Sequence, residues 1–368
     1  MNSIKKQLRP LKRLIKTIID RIDNALARAA SYNRLLAGMY YLVTGTFARE
    51  HQSVLAGRRI YLDSLKDPTQ NSSLLRRNIH RLEKGLLMKP RRVPFGLDYI
   101  SETVAAYSLA SDSGIDPSEL AWARDVLDAY MDVSPSHPRI DPLRTVVSRA
   151  SALICTEEDV EPRIPYLRVK ARASDISIDQ LLTLAEYRRS VRWFNSDPVP
   201  RSVIDRAVQV AAYSPSACNR QPFEFRIFDD PTIVSELIKL PMGTSGFGHQ
   251  VPCVAIVVGK QRNYFNERDR HLIYIDGALA AMSFVYALET QGVGSCCVNW
   301  PDIELREKKM ERALQLDRDE RPIMLIAFGY PDEDGLVANS TKKDISALRR
   351  YNDEFSGPGK VKMKGATA

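Results

Sequence analysis

Residues 214–223 read Ser214-Pro215-Ser216-Ala217-Cys218-Asn219-Arg220-Gln221-Pro222-Phe223, a polar stretch rich in turn-forming residues. Before it, Val203, Ile204, Ala207, Val208 and Ala211 recur at helical spacing after Pro200, a residue suited to a helix start. After it, Phe223 to Phe228 is aromatic and β-branched and reads as a strand. The stretch is therefore a loop from helix to strand. Its Asn219 and Gln221 offer the paired donors and acceptors that the edge of a planar, amide-like ring needs. Such side chains serve nearby backbone groups equally well, and the loop alone leaves both uses open.

Upstream, Ser177 and Gln180 stand at capping-box spacing and open a helix through Tyr187. Arg188-Arg189-Ser190-Val191-Arg192 follows at once. Three guanidinium groups and a hydroxyl at a helix end suit a phosphate, through bidentate donors and permanent charge, although a solvated basic face has the same composition. Downstream, strands are expected at Cys253–Val258, Ser295–Asn299 and Ile323–Phe328. Between them Ile275 to Thr290 is apolar on nearly every side, with Ala278, Leu279, Ala280, Ala281, Met282, Phe284 and Val285 in sequence. A helix of that kind must be buried, either in a core or against a second subunit, and Gly292 ends it.

Arg-Arg-Ser-x-Arg followed about 25 residues later by Pro-Ser-Ala-x-Asn-x-Gln-Pro-Phe resembles the signature of the FMN-dependent nitroreductase family. Ile275-Asp276-Gly277, Gly292-Val293-Gly294-Ser295-Cys296-Cys297 and Phe328-Gly329-Tyr330-Pro331 are similar to the family's later landmarks and come in its order. The resemblance covers residues 176–352, about half the chain. It implies an α+β fold, an antiparallel or mixed sheet wrapped by helices, in an obligate homodimer with FMN at the subunit interface. It further implies that Arg188, Ser190 and Arg192 hold the FMN phosphate and ribityl chain, with Arg189 close by. By the same resemblance Pro215, Ser216 and Asn219 line the isoalloxazine, with Asn219 at its pyrimidine edge, and Cys297, Val298 and Asn299 lie near N5. Lys342 and Lys343 fall, at looser spacing, where the family places a late basic residue on the phosphate. NADH or NADPH would be the donor and an electron-poor small molecule, such as a nitro compound or quinone, the acceptor. Phe223 replaces a frequent Trp. Two adjacent cysteines stand where the family varies, so the donor to N5 is not named, and a backbone N–H is preferred. Because alternate strand residues face opposite sides, at most one of Cys296 and Cys297 looks at a flavin, and packing is the expected role.

The first half reads as mainly helical: Leu11, Leu14, Ile15, Ile18, Ile19 and Ile22 recur at helical spacing, and Tyr32–Leu65 continues without proline. Further helices are expected at Leu74–Lys84, with Gly85 as its C-terminal cap, at Tyr99–Ala110 and at Pro117–Met131. A segment punctuated by Pro135, Pro138, Pro142, Pro162 and Pro165 follows. The expected organisation is a helical region over 1–172, the FMN-binding domain over 173–355 and a flexible tail over 356–368. The helical half, with Arg81-Leu82-Glu83-Lys84-Gly85-Leu86, also resembles extensions on nitroreductase-like proteins of bacterial polysaccharide-associated gene sets, which implies a dedicated substrate.

The net charge of +8 is uneven. Residues 1–21 and 74–92 each hold seven Lys or Arg against one acid, so the rest of the chain is net negative. That distribution argues against a nucleic-acid groove over the whole protein. Residues 1–21, basic on one side with an isoleucine and leucine stripe opposite, could lie weakly on an anionic membrane or be a solvated helix. Leu35–Ala48 is too short and too interrupted to span a bilayer, and the opening residues lack the pattern of a secretory signal. Five cysteines without metal-ligand spacing suggest a reduced, cytoplasmic chain with buried thiols. The five histidines are scattered, with no zinc or Ser-His-Asp constellation, and His80 with Glu83 reads as a local contact. Two rival readings remain: a flavin-binding protein without catalysis, and a membrane-surface scaffold.

Overall fold

The computed structural model describes residues 2–69, 71–154 and 161–352, with side chains from residue 13 onward. The expected tail at 356–368 and Cys155 lie outside the described residues. The helical half opens with α1 (Asn2–Ser31) and α2 (Arg34–Thr44), which pack against each other, the Tyr40 hydroxyl donating to Asp23 at 2.7 Å. The proline-free stretch from Tyr32 to Leu65 is helical as expected, and two caps divide it. Asn33 accepts the Leu35 and Leu36 N–H groups and starts α2, and Gly45, at φ 65°, ends it with α3 (Ala48–Ser64) beyond.

Helices α4 (Ser73–Leu86), α5 (Ile100–Ser111), α6 (Pro117–Val133) and α7 (Asp141–Ser151) enclose a core of their own around Ile79, Leu82, Ile100, Tyr107, Leu127 and Tyr130. The α7 helix lies within the proline-rich segment, because Pro142 occupies its first turn, where no N–H is required. Gly85 is not a cap. It lies inside α4, where an added Cβ would stand 2.1 Å from the Phe95 ring, so its role is to admit that ring.

The second half contains α8 (Ile178–Tyr187), α9 (Arg201–Ala212), β1 (Phe223–Phe228), α10 (Pro231–Leu237), β2 (Cys253–Lys260), α11 (Leu272–Glu289), β3 (Gly294–Asn299), α12 (Glu304–Leu314) and β4 (Glu320–Gly329). The expected capping box is present on α8, with Ser177 and Gln180 bonding reciprocally. The four strands form one antiparallel sheet in the order β1-β2-β4-β3, an α+β architecture. Alternation along each strand feeds two cores. Val254, Ile256, Leu325 and Ala327 face one, whereas Ala255, Val257, Ile326 and Phe328 face the other with α9 and α11.

Helix α11 lies close on the sheet because Gly277 presents no side chain: a Cβ there would approach Ile323 Cδ1 to 2.4 Å. By length and composition residues 267–289 could cross a bilayer, yet half of that span is buried against the fold. Its other side is open in a single chain, with Ile275, Leu279 and Met282 at 53%, 44% and 36% exposure. The two halves meet through α3 and α4. Gly57 sits so near Gln261 that a Cβ would stand 2.6 Å from its carbonyl carbon, and Arg49 binds Glu304 at 2.7 Å and Glu311 at 2.9 Å on α12.

Candidate functional site

Chain direction brings the arginine cluster to the edge of the sheet. Arg188 caps the C-terminus of α8, and the chain then runs along β3, pairing Ser190 with Ser295 in a parallel bridge while the Val191 N–H donates to the Ser295 carbonyl at 3.0 Å. This joins Arg188, Arg189, Ser190 and Arg192 to the strand that carries Cys297, Val298 and Asn299. Among the described residues none of the three arginines has an ion pair; Arg189 donates to the Arg188 carbonyl at 3.4 Å and Arg192 to the Ser190 carbonyl at 3.3 Å. Arg188 Nε is buried with no hydrogen-bond partner, and so is Ser295 Oγ. Buried donors of this kind are costly to leave unmet, so the cluster is suited to an anion. Glu289, at the end of α11, lies within range of the Arg188 charge, and burial raises its carboxyl above the usual range.

On β3 the alternation assigns the side chains. Cys296 and Val298 point into the core and Cys297 and Asn299 outward, so Val298 could meet a ligand through its backbone alone. Burial raises the Cys296 thiol, which fits packing rather than nucleophilic chemistry. The expectation of buried thiols holds for Cys253 and Cys296, but not for Cys218, half-buried, or Cys297, exposed; all four are free.

The 214–223 loop is held under strain. Cys218, Asn219 and Gln221 all adopt left-handed backbone, at φ 55°, 52° and 46°. Such residues cost of order 1–3 kcal/mol each and persist where the surroundings over-determine them. The restraints are visible. Asp276, buried at the start of α11, accepts the Ala217 N–H at 2.9 Å and the Tyr264 hydroxyl at 3.2 Å. Burial pushes the Asp276 carboxyl up, against those two bonds and the Arg220 charge. Ser214 meets Ser283 at 2.7 Å, and Arg220 donates to the Ala217 and Asn263 carbonyls at 3.0 and 3.1 Å.

From the helical half, Arg76 donates to the Asn219 carbonyl at 3.0 Å and to Gln221 Oε1 at 3.1 Å, and pairs with Glu119 at 2.8 Å. Gln221 also donates to the Ala212 carbonyl at 3.0 Å, so its amide is spent on the loop and is not a ring-edge contact. The Asn219 amide has no hydrogen bond among the described residues and stays available. Arg76 and Asp276 were not expected to position the loop. Arg76 is remote in sequence and carries no local signal, and Asp276 was legible only as a landmark.

Within one chain the loop and the arginine cluster are anchored at different points along α11, Ser214 reaching Ser283 while Ala217 reaches Asp276. Ala217 lies at Asp276 and Arg188 near Glu289, opposite ends of α11, which at 1.5 Å per residue are about 20 Å apart. Lys342 and Lys343 lie on an exposed coil. His80 and Glu83 meet at 3.2 Å, with Glu83 also accepting from Trp122, which is a local structural contact.

Residues 185–243 and 234–330 match the model of the nitroreductase family. The iodotyrosine deiodinase of Danio rerio is 24% identical over 230 residues, covering 52% of this chain and 75% of that protein. The iodotyrosine deiodinase of Haliscomenobacter hydrossis is 22% identical, covering 44% and 84%. Among solved structures, an FMN-dependent nitroreductase from Clostridium difficile superposes with a TM-score of 0.41 at 19% identity, covering 47% of this chain and 99% of that one. The match to the nitroreductase family model lies within the C-terminal half of this chain, and it supports a flavin oxidoreductase module there.

Proposed function

We propose that the protein is an FMN-dependent oxidoreductase that takes electrons from NADH or NADPH and passes them to an electron-poor small molecule. The observation that carries this reading is the arginine cluster: three guanidinium groups with no ion pair among the described residues, one with a buried Nε that has no hydrogen-bond partner there. Those residues fit a phosphate dianion. Arg188, Ser190 and Arg192 would hold it, with Arg189 adding charge, while Pro215, Ser216 and Asn219 would frame the ring and Cys297 and Asn299 would face it from β3. Bound there, the flavin supplies two-electron transfer between donor and acceptor. The protein residues bind and orient it, and the strained loop fixes the free Asn219 amide where a ring edge can bond to it.

With Ala217 and Arg188 anchored toward opposite ends of α11, this reading takes the complete site as composite, built from two copies related by a two-fold axis. The open stripe of Ile275, Leu279 and Met282 supports that pairing. The relatives named for iodotyrosine deiodination make reductive dehalogenation one candidate among acceptor reactions, beside nitro and quinone reduction. The absorbance spectrum of the purified protein tests the cofactor. Oxidised flavin bands near one per chain, bleached by NADH or NADPH, are expected; a colourless protein that gains no flavin from excess FMN would refute the reading, and bound flavin that no nicotinamide reduces would favour a non-catalytic role.

A second property rests on α1, where Leu14, Ile15, Ile18, Ile19, Ile22 and Leu26 are 48–59% exposed. With the basic residues of 1–21, this stripe supports peripheral contact with an anionic membrane from a cytoplasmic location.

A further inference from the structure

A cavity of about 420 Å³ opens where α4 meets the 214–223 loop, lined by Arg77, Arg81 and Lys84 together with Cys218, Arg220 and Arg268. Spacings of four and three residues place the α4 cations on one helix face. The lining holds five cations and no acid. Two carboxylates reach it from outside: Glu102 to Arg77 at 3.2 Å, and Asp269 to Arg268 at 3.5 Å and to Arg220 at 3.7 Å. Arg81 bonds only to Asn78, at 3.1 Å, and among the described residues neither it nor Lys84 has an ion pair. The guanidinium groups are held in place by rings. Arg81 stands 3.5 Å from the centre of Tyr99, while Arg77 and Arg268 stand 5.3 and 4.7 Å from Phe265. Like charges gathered on a rigid frame repel one another, and a multivalent anion relieves that repulsion.

We infer that this cavity is a phosphoryl-binding site for a reactant of the proposed oxidoreductase, with Arg81 and Lys84 as its uncommitted donors. Three more cations than carboxylates match a phosphate or pyrophosphate better than a single carboxylate. Cys218, in the cavity wall, adjoins Asn219, so the anchored phosphoryl group holds its reactant beside the ring half of the site. The helical half is then a specificity element and not only a scaffold. The assignment to a reactant rests on the flavin reading; the anion site itself does not. The phosphoryl group belongs either to the dinucleotide donor or to a phosphorylated acceptor.

The test titrates inorganic pyrophosphate into the protein as purified, by calorimetry, for the parent, Lys84→Gln and Arg81→Gln, with steady-state kinetics alongside. Lys84 is exposed, so its variant keeps the fold even if Arg81→Gln does not. The expected result is one pyrophosphate per chain, bound about 10-fold more weakly by Lys84→Gln, with flavin content unchanged. A raised KM for both NADH and NADPH identifies the donor as the source; a raised KM confined to phosphorylated acceptors identifies the acceptor. Equal pyrophosphate binding by parent and Lys84→Gln overturns the site. Binding that weakens with no change in KM for any of these reactants means an adventitious ion only, and overturns the role. Pyrophosphate binding that depends on Lys84 in a protein unable to bind FMN would leave the anion site standing while the flavin reading falls.

Discussion

Arg188 Nε, buried and without a hydrogen-bond partner among the described residues, is a donor suited to an anion. Each charge-assisted bond to a phosphate contributes roughly 1.5–3 kcal/mol, so Arg188→Ala or Arg192→Ala should weaken FMN by about 10- to 100-fold. Riboflavin, which lacks the phosphate, should bind parent and variants alike in a fluorescence titration; an Arg192→Ala protein that holds FMN as tightly as the parent sinks the assignment. Arg76 makes the complementary prediction. Its removal leaves the Asn219 carbonyl, Gln221 and Glu119 without their donor. We expect Arg76→Ala to lose about 1–3 kcal/mol in denaturant unfolding and to bind flavin more weakly. An unchanged midpoint and unchanged affinity would show that the loop holds its left-handed turns without Arg76.

At the scale of elements, Arg49 clamps α3 to α12 through Glu304, and that hydrogen bond and charge hold the Glu304 carboxyl down to about 2 from an ordinary 4.5. The folded value is the lower one, so the unfolded chain binds the extra proton in this range. The stabilisation is complete above pH 4.5 and is lost as pH falls towards 2. Glu304 is half exposed, which limits the effect to about 1 kcal/mol. Arg49→Gln should flatten that part of the stability–pH profile, and an unaltered profile would show the clamp to be inert. For α1, deleting residues 1–21 should reduce recovery with anionic vesicles; undiminished recovery would remove the membrane role.

The strands were legible because period-two alternation and β-branching are local signals, and each observed strand contains the expected one. The capping box of α8 was legible for the same reason. Breaks governed by a single residue were not: Asn33 and Gly45 divide the helical first half, and Pro142 starts α7 in a segment that looked irregular. Gly85 was misread as a cap, and the use of Gln221 stayed open, because what they touch, Phe95 and Arg76, is set by tertiary packing.

For the whole molecule, the central claim is that FMN is held by the Arg188 segment of one chain and the 214–221 loop of another. Along α11 the anchor of Ala217 at Asp276 and that of Arg188 near Glu289 are about 20 Å apart, and the exposed stripe of the helix offers the surface that would bring a second copy alongside. The most direct measurement is complementation. Arg188→Ala and Asn219→Lys, each poor in flavin alone, are produced separately and together, and bound FMN per chain is determined. In a composite site each mixed dimer regains one intact site and holds one doubly altered site, so random pairing predicts about one quarter of the parent's flavin. A mixture no richer in flavin than the two variants apart would contradict the account, since it would place both groups in the site of a single chain.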